Sequence, residues 1–273
     1  IDKADERRGM PTPHRTLASY HTAQSWIGSS TDFGQHGAML VGDFLFSAAT
    51  AAADEQALTL REDCARAFSR RFADMHAEVA LGQYLDITAE QTPLDPERTD
   101  ALSTSDSLEV ALHKSAHYSV VHPALLGAIC GASSFDRVAD LLDVLETILT
   151  PWGLAFQLRD DDLGVFGDPA VTGKPAGDDL REGKRTALLA LTWEASSPAE
   201  RRALTDVLGV AEASPEQIAT ATDIVERNGR AAHEAEIARL VADGHAALEA
   251  TTFDEDARAM LRELCSLLTA RRA

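Results

Sequence analysis

An all-α fold is the architecture this sequence predicts, and three observations carry the prediction. Apolar residues recur at three- and four-residue intervals over most of the chain. Clear alternation with a period of two, the mark of a half-buried strand, is scarce. Aromatic residues make up only 5% and alanine is used heavily, a balance that suits helices better than sheets.

The elements follow in chain order. Val41, Phe44, Leu45 and Ala48 trace one apolar helical face, and Phe68, Phe72, Met75, Val79 and Gly82 trace another. Leu141, Leu142, Leu145, Ile148, Leu149 and Trp152 lead a third face into Phe156. Pro151 falls inside that pattern, so a kink or break is expected there, with the helix resuming beyond it. Further helices are expected at about 184–195, 198–208, 215–228, 230–250 and 254–271. Gly167-Asp168-Pro169 and Thr172-Gly173-Lys174-Pro175 read as turns. No repeat or linker interrupts the chain, which reads as one compact domain over residues 1–273.

Composition narrows the function. Lys and Arg number 25 against 44 Asp and Glu, and a net charge of −19 repels a nucleic-acid backbone or an anionic membrane surface. No nucleic-acid partner is expected, and a polyanionic ligand would need locally gathered basic groups or bound cations. Cys64, Cys130 and Cys265 are too few and too far apart for a disulfide framework or a zinc motif, which suits a cytoplasmic location. The nearly apolar run from Val120 to Ala132 is too short for a membrane span and carries His122 and Pro123.

The segment from Phe156 to Pro169, with Asp160-Asp161-Asp162 at its centre, is the most informative. On a helix Gln157, Asp160, Asp161, Gly164 and, if the helix lasts that far, Asp168 share one face. Carboxylates so placed repel one another. Magnesium relieves that repulsion, because it takes hard oxygen ligands and bridges carboxylates to phosphates. Beyond the stripe stand Lys174, Asp178-Asp179 and Lys184-Arg185, so an anionic ligand could be held by metal on one side and ammonium groups on the other. A nucleotide P-loop is excluded, since five residues separate Gly177 from Gly183 and Arg185 follows Lys184.

Two other polar clusters stand out. Near the start, Asp2 precedes the pair Arg7-Arg8 by five residues, a pattern that alone reads as a surface ion pair. In the middle, His113 and His117 have the i and i+4 spacing that can bind zinc, but no third ligand is evident nearby and no metal is expected there. Lys114, between them on an otherwise apolar helix, should aim its ammonium at a partner.

Taken in order, these segments resemble the trans-prenyl diphosphate synthases. Asp2 resembles the last aspartate of that family's first DDxxD motif, and Arg7-Arg8 the arginine pair after it. Gly82-Gln83-Tyr84-Leu85-Asp86 is similar to GQxxD, and Lys114-Ser115 stands where the family has Lys-Thr. Asp160-Asp161, Lys174 and Lys184 resemble the second aspartate motif and the lysines that follow it.

The resemblance implies an isoprenoid-synthase-type helical bundle around a central cavity, lacking its N-terminal helices. It implies magnesium held by Asp2, Asp160 and Asp161, and diphosphates held by Arg7, Arg8, Lys114, Gln157, Lys174 and Lys184. Of these, Lys114, Lys184 and Arg7 would serve catalysis, with Gln83, Asp86 and Asp168 as orienting groups behind them. Phe44 and Phe46 would line the cavity for the growing chain. The implied reaction joins an allylic prenyl diphosphate to isopentenyl diphosphate, with geranylgeranyl diphosphate as product and a homodimer as the assembly. Two departures accompany it. Gly164 takes the fifth place of the second motif, which Asp168 is expected to fill in part, and the other aspartates of the first motif would precede Ile1. A class I terpene cyclase and a non-catalytic regulatory subunit are the alternatives. Arg8 and the paired lysines favour the synthase over the cyclase, and retention of Arg7, Arg8, Lys114, Asp160, Asp161 and Lys184 argues against the regulatory subunit.

Overall fold

The computed structural model describes residues 5–7, 9–167, 177–210 and 212–270. The fold is all-α, as expected, and two strands of two residues each are the strand content among the described residues. The chain divides into two compact units, Ile1–Ala65 and Arg66–Ala273.

The first unit opens with a small hairpin of β1 (Glu6–Arg7) and β2 (Met10–Pro11), in which Arg7 lies opposite Met10. Gly9 supplies the left-handed turn residue at φ 72°, which a side chain would resist. Pro13 then starts α1 (Pro13–Ala23), where its missing N–H costs nothing. Helix α2 (Ser30–Leu58) packs along α1. The two backbones nearly touch at Gly34, where a Cβ would stand 2.2 Å from the His14 carbonyl oxygen. The face traced by Val41, Phe44 and Leu45 is exposed, as is Phe46.

The second unit is assembled around one long helix. After α3 (Glu62–Gln91) come α4 (Thr104–Ala111), a π-helical segment at Leu112–Val121, and α5 (His122–Gly131). Helix α6 (Ala139–Phe166) then receives the π segment and α5 and, from later in the chain, α8 (Ala187–Ala195), α11 (Arg230–Glu249) and α12 (Glu255–Thr269). Between these lie the short α7 (Asp178–Glu182), α9 (Pro198–Thr205) and α10 (Pro215–Asn228).

Helix α6 does not break at Pro151. It is continuous, because Ile148, Leu149 and Trp152, all fully buried, clamp the chain on both sides of the proline. The lost backbone hydrogen bond is outweighed by that packing. Two glycines let helices approach α6 closely. A Cβ on Gly244 would lie 2.2 Å from the indole nitrogen of Trp152, and one on Gly153 would lie 3.0 Å from Ala116. The expected helix ends hold to within about three residues, and the true starts are set by caps. Ser197 with Glu200 and Ser214 with Gln217 form capping boxes at the starts of α9 and α10.

The π segment has a sequence cause. Pro123 has no N–H to give and its ring collides with the carbonyl four residues back in a regular helix. Widening the preceding turns to i→i+5 bonding relieves that collision, and such segments are frequent at functional sites.

Candidate active site

Four of the proposed site residues, Asp2, Arg8, Asp168 and Lys174, lie outside the described residues. Arg7 is exposed on β1 and belongs to the first unit. The others lie in the second unit, and their positions follow from three helices and one turn.

Gly82 sets the first contact. A Cβ there would stand 2.4 Å from the backbone nitrogen of Lys114, so only glycine allows α3 and the π segment to meet. That contact puts the carboxylate of Asp86, one turn along α3, against the Lys114 ammonium, which donates to its Oδ2. Gln83 steadies the same oxygen, its Nε2 donating at 3.2 Å. Asp86 is buried, so its charge needs both partners.

The acidic stripe on α6 supplies the second group. Asp160 is exposed and Asp161 is buried, with Gln157 Nε2 donating to Asp161 Oδ1 at 2.8 Å. Burial, and then the nearby charge of Asp179, hold the Asp161 carboxyl well above the usual carboxylate range. Asp162, one residue further round the helix, belongs to another network. It faces Arg230 at 3.3 Å and Arg159 at 3.6 Å, and Arg159 in turn makes a bidentate pair with Glu234.

Asp179 on α7 joins the two groups, and sequence reasoning gave it no role. Its Oδ1 accepts from Lys184 Nζ at 2.7 Å, and Lys184 also reaches Glu182 at 2.9 Å. Burial would lower the Lys184 pKa, but Asp179 and Glu182 outweigh it and hold the ammonium charged. On the other side Asp179 leans over α6 so closely that a Cβ on Gly164 would lie 1.9 Å from its Oδ2. The glycine at the fifth position of the second aspartate motif therefore makes room for a carboxylate delivered from the next helix. The clue in the sequence was the pair Asp178-Asp179, which stands between Lys174 and Lys184 beyond the stripe.

Glu90, a second omission, sits one turn beyond Asp86 on α3. Burial, and then Asp86, raise its pKa, while Lys114 and Lys184 lower it. One half-buried carboxyl thus feels both lysines, which links the α3 group to the α6 group. Arg185 borders it, its guanidinium donating to the Gly183 carbonyl at 2.9 Å.

An all-helical bundle whose carboxylates and ammonium groups converge in this way is chemically suited to a polyanion taken up with hard divalent cations. The comparisons make the family specific. Residues 1–225 match the polyprenyl synthetase family, and the chain belongs to it. It is 30% identical over 230 residues to a geranylfarnesyl diphosphate synthase of Aeropyrum pernix, covering 84% of this chain and 62% of that one. It is 27% identical over 231 residues to a geranylgeranyl diphosphate synthase of Saccharolobus solfataricus, covering 84% of this chain and 60% of that one. The chain thus spans about 60% of the length of the curated relatives it matches. Among solved structures, a geranylgeranyl pyrophosphate synthase of Corynebacterium glutamicum, complexed with isoprenyl diphosphate and magnesium, matches with a TM-score of 0.88. The two are 37% identical, over all of this chain and 73% of that one. Among the described residues no helix is long and apolar enough to cross a membrane.

Proposed function

We propose that the protein is a trans-prenyltransferase that joins an allylic prenyl diphosphate to isopentenyl diphosphate, giving geranylgeranyl diphosphate. The observation that carries this reading is the meeting of Asp161, Asp179 and Lys184 beside Glu90 and Lys114. Buried carboxylates held that close are costly without a cation, and their all-oxygen donor set fits magnesium. Asp160, Asp161 and Asp2 would hold that ion, with Asp179 in the place that Gly164 leaves open. When bound, magnesium supplies positive charge against the departing diphosphate.

The chain's own groups do the remainder. Asp86 and Asp179 aim the ammonium groups of Lys114 and Lys184, so they donate to diphosphate oxygens without first having to be ordered. Arg7 and Lys174 would add to that charge, and Arg8 would anchor isopentenyl diphosphate beside the allylic carbon. Gln157 fixes the Asp161 carboxylate through its amide. Gln83 and Asp86 keep Lys114 oriented, and Asp168 would stand behind the stripe.

Magnesium as the ion, a homodimer as the assembly and the cytoplasm as the location complete the proposal, with residues 1–273 serving as a single synthase domain. Three free cysteines support a reducing compartment. Exposed Met39, Leu40, Phe44 and Leu45 on α2 offer apolar surface that a second subunit would cover.

The test is to supply magnesium, an allylic diphosphate and isopentenyl diphosphate and to separate the dephosphorylated products. A dominant twenty-carbon alcohol is expected. A fifteen-carbon or much longer alcohol would refute the product. A hydrocarbon or alcohol formed without isopentenyl diphosphate would replace the synthase with a cyclase, and activity seen only through another synthase would make the chain a regulatory subunit.

A further inference from the structure

Along α3, one to two turns before Gln83, stands a second cluster that the proposed reaction does not use. The Glu78 carboxylate is the common partner of three imidazoles. His113 Nδ1 lies 2.6 Å and His117 Nδ1 2.5 Å from its Oε1, and His122 Nε2 lies 2.8 Å from its Oε2. His122 is buried, and Glu78 and His117 are mostly so. One ligand atom from each of Glu78, His117 and His122 falls within 4.8 Å of the others.

The π segment creates this arrangement. In a regular helix at about 100° per residue, His122 would point away from His113, nine residues earlier. The wider i→i+5 turns use more residues per revolution and return His122 to the side of His113 and His117. All three rings then face one carboxylate on a neighbouring helix.

We propose that Glu78, His117 and His122 form a binding site for a divalent transition-metal ion of the zinc class, separate from the aspartates at Asp160 and Asp161. His113 supports the set by holding the Glu78 carboxylate in place. Two imidazoles and one carboxylate are the ligand set of many three-residue zinc sites, with a fourth position left for water. Imidazole nitrogen also selects zinc, copper, nickel or iron over magnesium.

The geometry is close to what such an ion needs. Bonds of about 2.0–2.2 Å set tetrahedral ligand atoms roughly 3.3 Å apart; each imidazole nitrogen now lies 2.5–2.8 Å from a Glu78 oxygen, and one ligand atom from each of the three residues falls within 4.8 Å of the others. An ion here would bolt α3 to the segment that carries Lys114, fixing the contact at Gly82 from one side. The site would be structural with respect to the neighbouring polar residues.

Cobalt(II) titration of the metal-free protein tests this, because cobalt in a tetrahedral nitrogen and oxygen site gives strong visible bands that magnesium-type carboxylate sites do not. One equivalent should bind with such bands, zinc should displace it, and a large excess of magnesium should not. His117→Gln and Glu78→Gln should abolish the bands, Asp161→Asn should keep them, and His113→Gln should weaken affinity about tenfold to a hundredfold. Should the His117 and Glu78 variants fold poorly, histidine ring resonances of the unaltered protein provide a second readout, and zinc should shift those of His117 and His122. A protein that takes up no cobalt would overturn the site. So would bands that survive in both His117→Gln and Glu78→Gln, or that vanish in Asp161→Asn, or histidine resonances that zinc leaves unmoved.

Discussion

Gly164 and Asp179 show how a single backbone hydrogen can decide a site. Asp179 Oδ2 occupies the space where any side chain at 164 would begin, at 1.9 Å from an ideal Cβ. Restoring an aspartate at the fifth motif position should therefore harm the protein. Gly164→Asp is expected to lower turnover at least tenfold and to destabilise by about 1–3 kcal/mol through overpacking and like-charge repulsion. Combining it with Asp179→Gly should recover part of both losses, as measured by kcat and by denaturant midpoints. A single variant with unaltered activity would mean that Asp179 does not fill the motif's gap. The neighbouring aspartates should divide by role. Asp160→Ala and Asp161→Ala should each reduce turnover far more than Asp162→Ala, which should mainly reduce stability, because Arg159 and Arg230 would each lose one of their two carboxylate partners. Equal losses of turnover at all three positions would show that the helical stripe has been misread.

At the scale of elements, periodicity served well where helices are regular and failed where they are not. The stripe from Gln157 to Gly164 was legible because α6 is α-helical throughout, so offsets of three and four residues do mark one face. The α3 face from Phe68 to Gly82 was legible for the same reason. The cluster around Glu78 was not, since its ligands lie on helices far apart in sequence and its geometry depends on a π segment that a 3.6-residue period cannot show. At Pro151 a local rule predicted a kink or break, and the helix does not break there, since the packing of Trp152 and Leu149 keeps it continuous.

Helix α11 carries a pH prediction. His233 is fully buried with neither ring nitrogen hydrogen-bonded, and burial depresses its pKa from 6.5 to about 4. Glu234 and Glu236 oppose that shift and Arg159 adds to it. Because the unfolded chain then binds the proton that the folded chain refuses, stability falls as pH drops from about 6.5 to about 4 and levels off below. The loss should approach about 3 kcal/mol. Denaturant melts at pH 7 and pH 4.5 for the parent and for His233→Leu give the check. The variant should lose most of its added slope, and an unchanged slope would remove His233 from the account.

For the whole molecule the governing fact is a net charge of −19 on a protein that is proposed to bind two diphosphates. Such a surface repels its substrates, so affinity must come from local cations and recruited metal. Among the described residues Lys114 and Lys184 supply part of that local charge, each half-buried against an aspartate. Overall charge was legible from composition and the lysines that reverse it locally from their place beside the acidic stripe, but the parts of Asp179 and Glu90 were not, because folding had to set them beside those lysines. The same placement makes the protein less stable than it could be. Asp161→Asn removes a buried carboxylate next to Asp179 while keeping its shape, and metal-free protein with that change should melt at a higher temperature, though without activity. A lower melting temperature would mean that Asp161 is satisfied as it stands and needs no cation.

The most direct measurement of the central claim is incorporation of labelled isopentenyl diphosphate into a longer prenyl diphosphate by the purified protein, with an allylic diphosphate present, across a magnesium titration. Incorporation should depend on the allylic diphosphate and on magnesium, and should fall by orders of magnitude in Asp161→Asn and Lys184→Ala. Consumption of the allylic diphosphate with no label incorporated, or incorporation that Asp161→Asn leaves intact, would contradict it.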